Sequence, residues 1–416
     1  MKDAAQFRYR RHRRHAFALL VMLSIGVAPF AAQPPQPTTP ATPAAPAAPA
    51  AQANQRPAVQ SPVIEGGRIT FNVYAPKASA VTLRSGELDR LVPEPKPKAM
   101  TRGEHGVWTI SIGPVAPGIY DYSFDVDGVT MTDPESTNVF GNVRGSRGFV
   151  EVPGAAGQPR HDEWRDVPHG AVTAHWYDSK ATSSRRRVHV YTPPGYYDAG
   201  AATRRYPMLV LLHGSGDNDS HWMHIGRANV IADNLIAAQK AEPMIIVMPD
   251  GHPYRGQPNE ARDVVRRMNT EKMESDVLNE VIPLVERAYR VQKDRSQRAI
   301  TGLSMGGGQS LTIGLQHSDR FAYIGGFSSA AGGVTPLLAN IGKDANAFNE
   351  RVKLLWIRIG KDDFLLEDNR KFIEALKGAN IRHEYVETEG AHMWGVWRLY
   401  LADFMPRLFR NGKAAS

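Results

Sequence analysis

The chain has 416 residues, enough for two or three folded units with a sizeable core, and a formal net charge of +8. Part of that excess sits in Arg8-Tyr9-Arg10-Arg11-His12-Arg13-Arg14. The rest is scattered without basic and aromatic interleaving, which argues against a nucleic-acid partner. There is no cysteine, so disulfides, thiolate metal centres and a lipoprotein anchor are excluded.

Residues 1–32 read as a signal peptide. A basic start is followed by the apolar run that begins Ala16-Phe17-Ala18-Leu19-Leu20-Val21-Met22-Leu23, and then by the small residues Ala31 and Ala32. The run is short for a membrane span, so no stable membrane anchor is expected and the mature chain should start near Gln33, in the periplasm or outside the cell. Residues 33–60 are rich in Pro, Ala, Thr and Gln, a composition that builds no core and suits an extended linker.

Residues 61–153 read as a small all-β sandwich. Ile69-Thr70-Phe71-Asn72-Val73-Tyr74 alternates, as does Tyr120 to Val126, which ends at Asp127-Gly128, a favoured hairpin turn. Val81-Thr82-Leu83, Trp108 to Ile112 and Phe149 to Val152 supply further strands. Asp125, Asp127 and Asp133 lack calcium-loop spacing and read as solvated turn residues. Residues 154–168 form a polar join. The part from about residue 165 to 412 should then fold on its own.

In that part the pattern changes. Arg187 to Tyr191 reads as an edge strand. Met208-Leu209-Val210-Leu211-Leu212, Met244 to Met248 and Leu354 to Ile357 are apolar on both faces, the mark of a mainly parallel central sheet covered by helices. One helix is expected over about 273–289, kinked by Pro283.

The run Thr301-Gly302-Leu303-Ser304-Met305-Gly306-Gly307 carries the pattern Gly-x-Ser-x-Gly. A serine that must attack a carbonyl sits on a sharp strand-to-helix turn, and its neighbours two residues away must lack side chains so that backbones can approach. The residue after it opens a helix and aims its N–H at the developing oxyanion. Serine hydrolysis also needs a base and an acid, in the chain order Ser, acid, His. Gly360-Lys361-Asp362-Asp363 follows a buried strand, and Gly390-Ala391-His392 follows the strand Glu384 to Glu387. Both lie at the carboxyl edge of the sheet, where open α/β sheets do their chemistry. Leu212-His213-Gly214-Ser215-Gly216 follows the first buried strand, and His213 reads as a brace for that turn.

With these residues in hand, residues 165–412 resemble the esterase D-like branch of the α/β-hydrolases, near the carbohydrate esterases that include feruloyl and acetylxylan esterases. The matching pieces are Tyr191-Thr192-Pro193-Pro194-Gly195-Tyr196, the His213 turn, Met248-Pro249-Asp250-Gly251, the Ser304 turn, Gly360-Lys361-Asp362-Asp363, and His392 followed by Trp397-Arg398. The resemblance implies Ser304 as nucleophile, His392 as base, Asp363 as orienting acid, and oxyanion donors at the N–H groups of Met305 and Ser215. The preceding β unit resembles the immunoglobulin-like early-set modules joined to such esterases, where a structural role is expected. Trp222, Trp394 and Trp397 are the candidates for an aromatic acyl pocket, though core packing is the first reading of each. No metal or organic cofactor is implied. The function implied is an exported serine carboxylic ester hydrolase that removes feruloyl or acetyl groups from plant polysaccharide or oligosaccharide. The alternatives are a siderophore esterase or acyltransferase of the same fold, and an inactive hydrolase-fold binding protein. The sequence does not fix the oligomeric state.

Overall fold

The computed structural model describes residues 56–92, 98–143 and 145–410. The expected signal peptide and most of the expected linker lie outside the described residues. No helix among the described residues is long and apolar enough to cross a membrane.

Between residues 63 and 152 the chain builds two antiparallel sheets. One runs in the spatial order Val63–Glu65, Arg68–Tyr74, Val107–Ile112, Thr101–Arg102. The other runs Lys98–Ala99, Val81–Arg84, Gly118–Val126, Gly145–Val152, Val139–Asn142, with Val129–Met131 also paired to Gly118–Val126. Alternation sends Ile69, Phe71 and Val73 from one sheet, and Tyr122, Phe124 and Val150 from the other, into one buried core. Asp127 and Gly128 take φ values of 48° and 87°, as the tight hairpin requires. The Asp127 carboxylate accepts the N–H groups of Ser79 and Ala80, and Asp133 accepts the hydroxyl of Tyr122, so each of these acids has its own protein partner.

From residue 171 the chain forms an eight-stranded sheet. Its spatial order is Ala171–Ser179, Ser184–Thr192, Ile245–Pro249, Met208–Leu212, Arg298–Gly302, Tyr323–Phe327, Leu354–Gly360, Glu384–Thr388. The two pairings that involve Ser184–Thr192 are antiparallel, and the other pairings are parallel. Within Met208–Leu212 the side chains of Met208, Val210 and Leu212 enter one core, and Leu209 and Leu211 enter the core on the other face. That explains why the strand reads as a continuous apolar run.

Three expectations need correction. Ala171–Ser179 and Tyr323–Phe327 are strands that the hydrophobic pattern did not mark. The helix expected over 273–289 starts earlier: it runs Arg262–Asp276, widens through a π-turn at Val277–Val281, and continues as Ile282–Ala288. Its first half is polar and leaves little apolar stripe, and the wider turn directly precedes Pro283, which has no N–H to donate.

The join at residues 154–168 is not loose. Arg160 binds Glu151, Asp162 and Glu163, at 3.1, 2.8 and 2.6 Å. Asp162 in turn pairs at 2.7 Å with Arg398, which is 2% exposed and also donates to the carbonyls of Ile225 and Ile119. Ile119, Phe140, Phe149 and Ile225 bury one another across the same boundary. A unit cut at residue 165 would strip this face, so the expected independence of residues 165–412 does not fit these contacts.

Candidate active site

Ser304 begins the helix Ser304–Gln316 directly after the strand Arg298–Gly302. Its φ is 52°, left-handed backbone that a serine adopts only under local constraint. The constraint is the close approach of neighbouring backbones. A Cβ on Gly306 would lie 2.4 Å from the His213 carbonyl oxygen, and one on Gly302 would lie 2.6 Å from the backbone of Gly306. The turn is thereby pressed against the end of Met208–Leu212, and Ser304 is left half-buried with its hydroxyl open to a cleft.

His392 follows Glu384–Thr388 on a loop tied to the Asp363 loop by backbone. Lys361 N–H donates to the Thr388 carbonyl at 2.7 Å and Asp362 N–H to the Gly390 carbonyl at 3.0 Å. The His392 Nε2 lies 2.9 Å from the Ser304 Oγ, and its Nδ1 lies 2.8 Å from Asp363 Oδ2 and 3.0 Å from Oδ1. Nδ1 is therefore the donor to the carboxylate, which leaves Nε2 free to accept the serine proton. Asp363 is buried and Asp362 is exposed, so of the two adjacent acids only Asp363 faces the ring. Burial alone would raise the Asp363 carboxyl. The hydrogen bonds from His392 and from the Leu365 N–H outweigh it and hold the group below its ordinary value.

The first-turn N–H of Met305 has no acceptor within its helix. Ser215 is exposed on the wall of the same cleft. Its loop is fixed by His213, whose Nδ1–H donates to the Gly214 carbonyl at 2.8 Å while Nε2 accepts from the Gly251 N–H at 2.7 Å. His213 braces the turn, as expected.

The three tryptophans divide. Trp394 and Trp397 line the cleft, and Trp397 meets the His392 ring edge-on with centroids 4.8 Å apart. Trp222 does not line it. It is 1% exposed, donates its indole N–H to the Leu212 carbonyl at 3.0 Å and packs edge-on to Phe327, so it is a core residue. Phe364 has the opposite character: it is 74% exposed, with its ring 4.5 Å from that of His392. Its open ring places apolar surface beside the imidazole.

The cleft holds about 330 Å³. Part of its wall comes from residues far away in the chain, in the preceding β unit: Glu87, Arg90, Asp121, Phe140, Asn142 and Arg147. No local pattern in the sequence marks them. A larger hollow of about 530 Å³ lies by Pro207 and Gln297, at the other ends of the strands, and contains none of the residues described above.

Glu87 also joins the two parts. Its buried carboxyl accepts the backbone N–H groups of Trp394 and Gly395, the start of the helix Trp394–Phe404 just after His392. Burial pushes it up to about 7, with Asp121 adding to the rise and Arg398 opposing it. A carboxyl raised on folding contributes stability that is complete below its unfolded value near 4.5 and is lost as the pH climbs through about 7. Glu87→Gln keeps the acceptor and removes the charge. Its melting temperature relative to the parent protein should therefore rise between pH 4.5 and 8. Parallel melting curves across that range would contradict this.

With the geometry in place, comparison with known proteins decides the family. The family model Esterase matches residues 179–408, more than half of the chain. The chain belongs to the Esterase family. This Esterase-family chain is 32% identical over 360 residues, 85% of its length, to an endo-1,4-beta-xylanase/feruloyl esterase of Xylanibacter ruminicola. It spans 47% of the length of that relative. A solved ferulic acid esterase is 26% identical and aligns with a TM-score of 0.50, covering 57% of this chain and 97% of that one. An enterobactin esterase from Shigella flexneri, 17% identical, aligns with a TM-score of 0.58 over 82% of this chain and 93% of that one, a likeness of fold. The fold is that of the α/β-hydrolase-type esterases.

Proposed function

We propose that this protein is an exported serine carboxylic ester hydrolase that removes feruloyl or acetyl groups from plant polysaccharide or oligosaccharide. The observation that carries the reading is the unbroken contact from Ser304 through His392 to Asp363, opening on a cleft. Ser304 Oγ attacks the ester carbonyl carbon while Nε2 of His392 takes its proton. The carbonyl oxygen becomes an oxyanion held by the N–H groups of Met305 and Ser215. The tetrahedral centre collapses, the alcohol leaves with the proton from His392, and the acyl group stays on Ser304. Water, deprotonated by His392, then attacks the acyl-enzyme, and the acid leaves as Ser304 regains its proton. Asp363 keeps the imidazole in the tautomer that both halves need.

The feruloyl assignment is supported by the likeness to the Xylanibacter protein, and Trp394, Trp397 and the open face of Phe364 suit an aromatic acyl group. The β unit fits the immunoglobulin-like early-set class, in that two antiparallel sheets close over one core. A fluorophosphonate probe tests the central point: it should label Ser304 in the parent protein and fail to label His392→Ala. A panel of methyl ferulate, acetylated xylan and short nitrophenyl esters then identifies the acyl group. No labelling and no hydrolysis of any of these would sink the reading. For export, mass spectrometry of the secreted or periplasmic protein should find an N-terminus near Gln33. An intact Met1 on cytoplasmic protein would refute that part.

A further inference from the structure

The cleft at Ser304 has two unlike walls. One is apolar: Leu303, Met393, Trp394 and Trp397, all from the part of the chain that carries the nucleophile and base. The other is charged and comes from the preceding β unit: Asp121 and Arg147 on its strands, and Arg90 on the short helix Leu88–Leu91, beside Glu87. An ester also has two unlike halves, an acyl group and an alcohol. The apolar wall suits the ring or the short chain of the acyl group. The charged wall is left for the alcohol.

Its chemistry narrows what that alcohol is. Arg147 and Asp121 pair at 2.7 Å with side chains 31% and 15% exposed, so both ends of the pair stay partly open to solvent in the cleft. Side by side they present N–H donors and carboxylate acceptors. A hydroxyl group donates and accepts at once, and adjacent hydroxyls match such a pair with charge-assisted bonds. An anionic group would meet Arg90 and Arg147 but also Asp121 and Asp217, which line the same cleft. A simple alkyl alcohol would cover the open ends of the Arg147–Asp121 pair and offer them no hydrogen bond in place of water.

The wall is also held at a fixed distance from the nucleophile. Val143 N–H donates to the Gly216 carbonyl at 3.0 Å, and the Asn218 side chain donates to the Gly141 carbonyl at 2.7 Å. These bonds fasten the sheet edge Val139–Asn142, whose neighbour Gly145–Val152 carries Arg147, to the loop that carries Ser215.

We propose that Arg90, Asp121 and Arg147 form a subsite for a neutral polyhydroxylated alcohol, a sugar residue, on the leaving side of the ester. The proposal rests on the ester-hydrolase reading of Ser304. The subsite makes these three residues specificity determinants that act on the alcohol and not on the acyl group.

The test holds the acyl group constant and changes the alcohol. Methyl ferulate and 5-O-feruloyl-arabinofuranose are compared in the full-length protein by kcat/KM. The parent protein should prefer the sugar ester. Arg147→Met, Asp121→Asn and the exposed-site variant Arg90→Met should each lower the ratio of sugar ester to methyl ester, on the order of 10-fold for the Arg147–Asp121 pair, chiefly through KM of the sugar ester. Arg147→Lys, which keeps the charge but not the fork, should recover only part of the ratio. If Arg147→Met does not fold, Arg90→Met and Asp121→Asn still decide. A ratio unmoved in variants that remain folded overturns the subsite while the ester-hydrolase reading stands. So does a parent protein with no preference for the sugar ester, or one that prefers a uronate-bearing ester. Failure of the parent protein on both esters, with no fluorophosphonate labelling, overturns the reading on which the subsite rests.

Discussion

Ser304→Ala should lower turnover of any small ester by on the order of 10⁴–10⁶ while the protein stays folded. A hydroxyl is a poor nucleophile until its proton has somewhere to go, and here that place is the His392 Nε2 at 2.9 Å. Removing the oxygen removes the covalent route and leaves the cleft and its donors in place. His392→Ala should cost as much turnover, for the complementary reason that Ser304 keeps its proton. The two variants should differ in stability. Ser304→Ala takes away one exposed-side hydrogen bond. His392→Ala leaves the buried Asp363 carboxylate without its strongest partner and opens a gap between Phe364 and Trp397. The carboxylate keeps its bond from the Leu365 N–H, but leaving a buried group short of a partner costs roughly 1–3 kcal/mol and more when it is charged, which a melting curve detects. The double variant should be no slower than either single one, because the pair acts as a unit. A double variant slower by the product of the two single losses would show that the residues act independently. Activity above one per cent in Ser304→Ala would show that the nucleophile lies elsewhere.

What could be read from the chain before its structure was the local part of this arrangement. The Ser304 turn is legible because its constraint is local: strand, two glycines and helix lie within a dozen residues. The order of Ser304, Asp363 and His392 is legible because each follows a strand end. The strand Tyr323–Phe327 is not legible, since Gly325 and Gly326 break the apolar run that marks a buried strand. Tertiary packing requires them: a Cβ on Gly325 would lie 2.4 Å from Thr301 Oγ1, and one on Gly326 would lie 2.5 Å from Ser329 Oγ. Trp222 illustrates the converse error. An aromatic side chain near a catalytic turn suggests a pocket wall, yet its indole N–H is used to satisfy the Leu212 carbonyl in the core. The charged wall of the cleft is illegible for a deeper reason. Arg90, Asp121 and Arg147 come from the preceding β unit, and their place beside Ser304 depends on contacts such as Arg398 to Asp162 and Val143 to Gly216. No pattern within one segment encodes such a meeting.

The choice between the two adjacent acids gives the second large effect. Asp363→Asn should reduce turnover by roughly 10³–10⁴, and Asp362→Asn by less than about tenfold. The carboxylate of Asp363 is fully buried and receives the His392 Nδ1–H at 2.8 Å and the Leu365 N–H at 2.9 Å. It fixes the imidazole in the Nδ1–H tautomer and stabilises the positive ring that forms once the Ser304 proton has moved. An asparagine there has the same shape but no charge, and its amide N–H₂ can turn toward Nδ1 and force the proton onto Nε2. The ring would then present a donor to Ser304 where an acceptor is needed. Asp362, one residue earlier, points to solvent, and only its backbone N–H takes part, donating to the Gly390 carbonyl. That bond survives the change to asparagine. Because the Asp363 carboxyl is held below its ordinary value, its contribution to stability is complete above that value and is lost as the pH falls through the lowered one. Asp363→Asn should therefore lose the part of the acid unfolding transition that this group supplies, and Asp362→Asn should keep it. The reverse order of the two turnover losses would mean that the loop is set one residue out of register. Equal and mild losses would mean an acid from elsewhere, with the exposed Glu367 and Asp368 at the start of the helix Leu366–Gly378 as the next residues to change.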